Sequence, residues 1–529
     1  INGDLMEMED AIFLKMHYVD ALSRYMKANG ITPGALNGNG ELSKVALERA
    51  RQYATTEAQK ATYRDASATA DAIYKFSRTN KATDLIIGGN LPFKNTPINV
   101  VKRGIEYSPI GLIKGLTYDL YQVKKGSKTA NEAIDSISAG LSGTALAALG
   151  AFLASMGIVI GGADEDKKNG QFDRMQGHQN YALEIDGKSY TLDWAAPSSL
   201  PFFVGAEIWN QFKQSDGNLT PAQVINGLTN LLEPVVEMSM LQGVESSIKS
   251  VGYSDHPLSD FLLNSVTGYT SQAVPTLFGQ VARTIDPVRR STYTSSGDSW
   301  PKLLSDPTQK AAAKIPFAST KLQPYVDQWG REQVNDNLAS RAFQNFLSPG
   351  YYSEVEQTRV DEEVERLYET NGDSGVLPGY APKYFYVDKK RVDLSADEYT
   401  ELAKDKGQRA YKYLLDMIDT SAYKKLDDTE KANAVKRVYE LALAQAKEKV
   451  SDYELEDEYE KIISAQKYDI SPGTYIGIMV HVGKLEADKD IHGDSISGSK
   501  KKKVYEYINS LSLTYSQRMA LMEALGYKM

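Results

Sequence analysis

Apolar residues recur at helical spacing over residues 4–28, and Gly30, Pro33 and Gly34 end the run, so the chain is expected to open with a helix. After a glycine-rich turn reaching Gly40, residues 41–78 read as one long or once-broken helix rich in Ala, Glu, Gln, Lys and Arg, with Tyr53, Tyr63 and Tyr74 interspersed. Polar helices of that kind pack in bundles or against partner chains. Pro92, Pro97 and Pro109 punctuate the next stretch, with helix resuming after each. The pattern changes at Tyr181-Ala-Leu-Glu-Ile185, where apolar and polar positions alternate. Asp186-Gly187 then supplies a two-residue turn, and Tyr190, Leu192 and Trp194 take the alternation up again. That is the signature of a β-hairpin.

Helical periodicity returns over 202–213, 220–250 and 258–284, separated by Pro and Gly, whereas 289–329 is rich in Ser, Thr and Pro around isolated aromatics. From Asn335 the chain is charged and helical. Ser395 with Glu398, and Asp427 with Glu430, stand three apart as in helix-starting capping boxes. Residues 384–387 read as a short strand, 493–499 as a polar linker and 500–529 as a two-helix tail. No internal repeat of fixed period is present. The expected fold is therefore mostly α, multi-helix and elongated or bundle-like, with one small β-hairpin near 181–194. Its expected regions are 1–90, 91–288, a loop-rich linker at 289–334, 335–492 and 493–529.

Residues 136–163 stand apart because none of these 28 residues is charged. As a continuous helix the segment would run about 42 Å, enough to cross a bilayer core of about 30 Å. Yet 18 of the 28 are Gly, Ala, Ser or Thr, and these gain little from lipid. Ala139, Gly143, Ala147, Ala151 and Ser155 recur every four residues, a smooth ridge for close helix approach. Leu146, Leu149, Leu153, Met156 and Ile160 alternate in steps of three and four, the spacing of knobs in helix packing. Both faces are expected to meet protein partners, as a buried or oligomer-interface helix, or lipid. Lys102, Arg103, Lys114, Lys124, Lys125 and Lys128 precede the segment and Asp164, Glu165 and Asp166 follow it, so a spanning helix would keep its N-terminal side in the cytoplasm.

Composition narrows the chemistry. With 529 residues, 42% hydrophobic and 24% charged, the chain is long enough for several folded domains. A net charge of −9 gives no global attraction for nucleic acid, so DNA contact would depend on local basic patches. The absence of cysteine removes disulfides, thiolate nucleophiles and cysteine-ligated metals, and leaves the redox compartment undetermined. Ile1 is not an initiator Met and the chain starts in a helical pattern, which predicts a piece of a longer protein.

No Gly-x-Ser-x-Gly elbow exists; the nearest string, Gly140-Leu-Ser-Gly143, lies in the uncharged segment. His17, His178, His256, His481 and His492 are scattered and form no helical metal pair. Residues 182–189 end in Gly-Lys-Ser like a phosphate loop, but Ala182 replaces the first glycine and the lysine falls in the expected hairpin. Asp488-Lys-Asp-Ile-His-Gly493 starts like a calcium loop and has Ser499 where the bidentate Glu is needed; Asp164-Glu-Asp166 fails similarly. No catalytic residue, metal or cofactor is therefore expected. Lys500, Lys501, Lys502 and Lys503 form the one compact basic run, at a helix start where positive charge opposes the dipole, and are candidates for an anionic partner. The 33 tyrosines suit protein interfaces, though helix packing accounts for most of them.

Several strings resemble one family. Leu91-Pro-Phe-Lys-Asn-Thr-Pro97, Glu106-Tyr-Ser-Pro109, the Gly/Ala helix, Gly161-Gly162 with its acidic sequel and Tyr190-Thr-Leu-Asp-Trp194 are similar to the large polyvalent protein-associated domain near the C-termini of very long phage and prophage proteins. Val326-Asp-Gln-Trp-Gly-Arg331, Glu362-Glu-Val-Glu-Arg-Leu-Tyr368 and Tyr505-Glu-Tyr-Ile-Asn-Ser-Leu511 fit the same picture, which covers most of the chain from Leu91 onward. The resemblance implies a polyprotein packaged in the virion, inside capsid or tail, and injected with the genome to the host envelope or cytoplasm. Enzymatic modules of such proteins lie upstream of the domain, which brings no catalytic residues, so no activity carries over. The implied partners are further copies of the chain and other virion proteins of portal or tail, with membrane and DNA as further candidates and no small-molecule substrate. A structural capsid, tail or scaffold protein, and the C-terminal carrier region of a larger enzyme-bearing protein, are the alternatives.

Overall fold

The computed structural model describes residues 2–32, 44–61, 106–128, 130–162, 166–195, 199–214, 276–295, 308–348, 350–487 and 497–525. The expected features at 34–40, 62–78, 91–97, 220–250, 258–275 and 493–496 lie outside them. The fold is mostly α with small antiparallel sheets. It divides into two compact units, Ile1–Gly162 with Leu192–Pro257, and Ala163–Thr191 with Leu258–Met529.

In the first unit, the helices Asn2–Ala28 and Lys44–Ala61 pack through small side chains, with Ala21, Ala50, Ala54 and Ala58 buried and the Tyr25 and Tyr53 rings 5.1 Å apart. Alanine lets two polar helices approach without a large apolar stripe, which accounts for a polar sequence forming a packed pair. A second group holds the uncharged segment. Ser108 caps the helix that begins at Pro109, accepting from the Gly111 amide at 3.4 Å, and this helix passes through a π turn at Gly115–Asp119 before Leu120–Lys124. The apolar helix itself spans Ala130–Ser155, about 39 Å of helix, and packs on Leu200–Gln214. It starts six residues earlier than expected, taking in Glu132 and Asp135. It also ends earlier, because Gly157 turns left-handed (φ 72°). The Gly157 and Ile158 amides then donate to the Ala154 and Leu153 carbonyls at 3.0 Å each. This is a Schellman stop, and it leaves Val159–Ile160 extended.

In the second unit the expected hairpin forms as Ala182–Ile185 and Lys188–Thr191, with Asp186 and Gly187 both at positive φ as the tight turn requires. Its second strand stops at Thr191, short of Trp194, and pairs with a strand from far along the chain, Tyr352–Glu354. A further hairpin, Tyr384–Val387 with Lys390–Asp393, turns through Asp388 and Lys389 at φ 49° and 66° without any glycine. Both anticipated capping boxes are present, at Ser395/Glu398 and Asp427/Glu430, and open the 23-residue helices Ala396–Ile418 and Asp428–Val450. Two more, at Thr358/Asp361 and Thr514/Gln517, use less obvious partners.

The region boundaries drawn from the sequence need correction. The described parts of the expected linker, 289–295 and 308–334, are not a linker, because Trp329 sits fully buried in the main core with Leu367, Leu414, Met417, Leu441 and Ile476. The string around it explains the anchoring. Asp327 accepts from the Trp329 and Arg331 amides at 3.0 and 2.8 Å, Gly330 takes φ 74°, and the Trp329 indole donates to Asp361 at 2.8 Å. Gly407 makes room for this turn, since a Cβ there would lie 2.1 Å from the Gly330 nitrogen. The expected two-helix tail forms as Ser497–Asn509 and Tyr515–Ala524, but it is part of the same core, which Val504, Ile508, Leu511, Leu521 and Met522 join.

Candidate functional site

The apolar helix presents two chemically different sides. Ala133, Gly140, Gly143, Ala147 and Gly150, spaced seven, three, four and three, are buried. Each glycine replaces a side chain by a neighbour's backbone. A Cβ at Gly140 would lie 2.3 Å from the Leu112 nitrogen, at Gly143 2.1 Å from Tyr107, and at Gly150 1.9 Å from the Phe202 carbonyl oxygen. The Leu200–Gln214 helix reciprocates, since a Cβ on Gly205 would meet the Ala147 carbonyl oxygen at 1.8 Å. Two helices at this distance gain close van der Waals contact from surfaces that offer little else to bury.

The predicted ridge therefore holds only in part. Gly143 and Ala147 are in contact, Ala139 and Ala151 are half-buried and Ser155 is exposed. The working pattern is a three-and-four alternation of small residues, because consecutive turns of a straight helix drift off a strict four-residue row.

The second seam lies mostly on the side the chain leaves uncovered. Leu146, Leu149 and Met156 point outward and exposed, only Leu153 is half-buried, and Ile160 lies beyond the helix in the short strand. Ile134, Leu141 and Phe152 add to the exposed side, Leu141 at 60% and Phe152 at 61%. The neighbouring Pro109–Lys124 stretch exposes Ile113, Leu116, Tyr118, Leu120 and Tyr121. Polar groups on the apolar helix are partly satisfied from within: the Thr144 hydroxyl donates to the Gly140 carbonyl and the Ser155 hydroxyl to the Phe152 carbonyl, each at 2.6 Å. Over 24 residues, Glu132–Ser155, the helix is long and apolar enough to cross a membrane by length and composition. Only 22% of its most apolar window is buried, unlike the core helix of a water-soluble domain.

The lysine run lies in the first two turns of the Ser497–Asn509 helix. Lys501, Lys502 and Lys503 are exposed, and Lys502 reaches Glu506 at 3.8 Å, while Val504 and Ile508 of the same helix enter the core. It is the solvated side of an anchored helix. His481 accepts or donates at 2.7 Å to Glu430, whose partner Asp427 is held by Lys484 at 2.5 Å. The Lys484 ammonium keeps the Asp427 carboxyl below the usual carboxylate range. This polar knot joins a capping box to the helix Pro472–Ala487. His178 bonds Glu184 at 2.5 Å on the first hairpin, and that bond raises the imidazole above its ordinary value.

Asp166 is committed to a cap, accepting from the Lys168 and Asn169 amides, which lowers its carboxyl. His17 is exposed on the first helix; His256, His492 and the 488–493 string lie outside the described residues. Among the described residues no group of three His, Asp or Glu is placed to hold a metal.

Lys406 escaped the sequence reading. It is 8% exposed inside a helix, donates to the Gly379 carbonyl at 2.5 Å, and burial pushes its ammonium down to about 8. No sequence signal marks it, because a lysine in a charged amphipathic helix reads as solvated.

No protein family, curated protein or solved structure matches the chain.

Proposed function

We propose that this chain is a non-catalytic virion-associated protein of the internal or ejection type, delivered with a phage genome, and that the apolar helical layer is where it associates. The observation that carries the reading is the division of the Ala130–Ser155 helix. Its small residues are spent on the chain's own helices, so that Ile134, Leu141, Leu149, Phe152 and Met156 remain outward for something else to cover. Large apolar side chains on one exposed helix mark a surface for protein or lipid. The phage setting rests on the resemblance of the sequence strings alone.

Flotation of the purified chain with liposomes, at acidic and neutral pH, tests membrane entry. Cofractionation with the vesicles is expected, and a chain that stays at the bottom of the gradient under both conditions contradicts it. A second reading, a capsid or tail assembly protein, draws on the same exposed row and on the tyrosines beside it, Tyr118 and Tyr121, which suit protein partners. Mass photometry separates the two: a stable ring or tube without lipid favours assembly, and a monomer that oligomerises only on vesicles favours delivery.

A further inference from the structure

The outward face of the second hairpin offers chemistry that the apolar layer does not use. Along Tyr384–Val387 the side chains alternate strictly. Phe385 goes into a small core with Leu394, Leu402 and Ala446, while Tyr384 and Tyr386 stand outside, 44% and 59% exposed. Their ring centroids are 6.2 Å apart at 84°. The opposite strand sets Arg391 directly across from Tyr386 and Asp393 across from Tyr384. The Arg391 guanidinium lies 4.1 Å over the Tyr384 ring and bonds Asp393 at 2.9 Å. Lys389 and Lys390 project at the turn, and among the described residues no ion pair engages either.

Between Lys383 and Asp393 the chain has four basic residues, Lys383, Lys389, Lys390 and Arg391, against two acidic ones, Asp388 and Asp393, in a protein whose net charge is −9. Locally the sign is reversed. The glycine-free turn and the buried Phe385 hold the two tyrosines on a rigid strand, so little ordering entropy is lost when a ligand stacks on them.

Aromatic faces interleaved with cations match a ligand that alternates flat rings with negative charge. An acidic peptide would use the lysines and leave the tyrosines idle, and duplex DNA keeps its base faces stacked away from both. We infer that this hairpin face binds single-stranded nucleic acid, with bases stacking on Tyr384 and Tyr386 and phosphates meeting Lys389 and Lys390, while Arg391, paired with Asp393, braces the Tyr384 ring. The inference is independent of the apolar helix and survives if membrane association fails.

The test is fluorescence anisotropy of the full chain with a labelled oligothymidylate of about 20 nucleotides, beside a duplex of equal length, at low and moderate salt. The single strand binds more tightly than the duplex, and Tyr384→Ala with Tyr386→Ala weakens it about tenfold or more at unchanged melting temperature. Lys389→Glu with Lys390→Glu weakens binding and flattens its salt dependence. If the alanine pair melts early, the Phe and Leu pairs, which both keep bulk, replace it: Phe retains affinity and Leu loses it. No binding by the unaltered chain, equal binding to the duplex, or equal affinity for the Phe and Leu pairs overturns the inference.

Discussion

Lys406 shows how far one residue can depart from what its neighbours in sequence suggest. Burial, with Lys168 as a nearby like charge, pushes its folded ammonium down to about 8 from the ordinary 10.5. Below about 8 both forms are protonated and the cost of the buried charge is fully present. Between about 8 and 10.5 unfolding takes up a proton, so stability rises with pH, by at most ~1.4 kcal/mol per unit. Denaturant midpoints of the native chain and Lys406→Met, taken from pH 7 to 9.5, are therefore expected to converge or cross as pH rises. A difference that stays constant over this window contradicts the burial argument. Residue-level features with local grammar were legible in advance: Asp186-Gly187 names its own turn, and Ser395/Glu398 and Asp427/Glu430 name their own caps. Asp388-Lys389 was not, because nothing but the pairing of the flanking strands forces two non-glycine residues to positive φ.

At the scale of elements, the apolar helix was visible as an uncharged run, but which of its two faces the chain itself covers was not. Periodicity reports that small and large residues segregate; it does not report which side the chain itself covers. The glycines decide that here. Gly205→Ala forces a methyl group against the Ala147 carbonyl and is expected to cost about 1–3 kcal/mol, read as a lowered melting temperature. Phe152→Ser, on the exposed side, is expected to leave melting within about 0.5 kcal/mol of the original while improving solubility. Equal destabilisation by both changes would place the outward row in a core. The strand Tyr352–Glu354 was illegible for another reason: its partner is Lys188–Thr191, over 160 positions earlier, and pairing at that distance leaves no trace in a local window.

For the whole molecule, fold class followed from the dominance of helical spacing, whereas region boundaries did not. A stretch poor in regular structure looks like a linker, yet Trp329, Gly330 and Asp327 fasten residues 326–331 to the helices Arg359–Asn371 and Ala396–Ile418. One buried indole outweighs the polar residues around it. The central claim is that the outward row on Ala130–Ser155 is open in the isolated chain and covered when it associates. Because the chain has no cysteine, Leu149→Cys supplies a single reactive thiol on that row. The direct measurement is its maleimide labelling rate in the isolated chain, with vesicles and in any purified assembly. The account predicts fast labelling alone and strong protection in at least one bound state; slow labelling in the isolated chain, or equally fast labelling in every state, would contradict it.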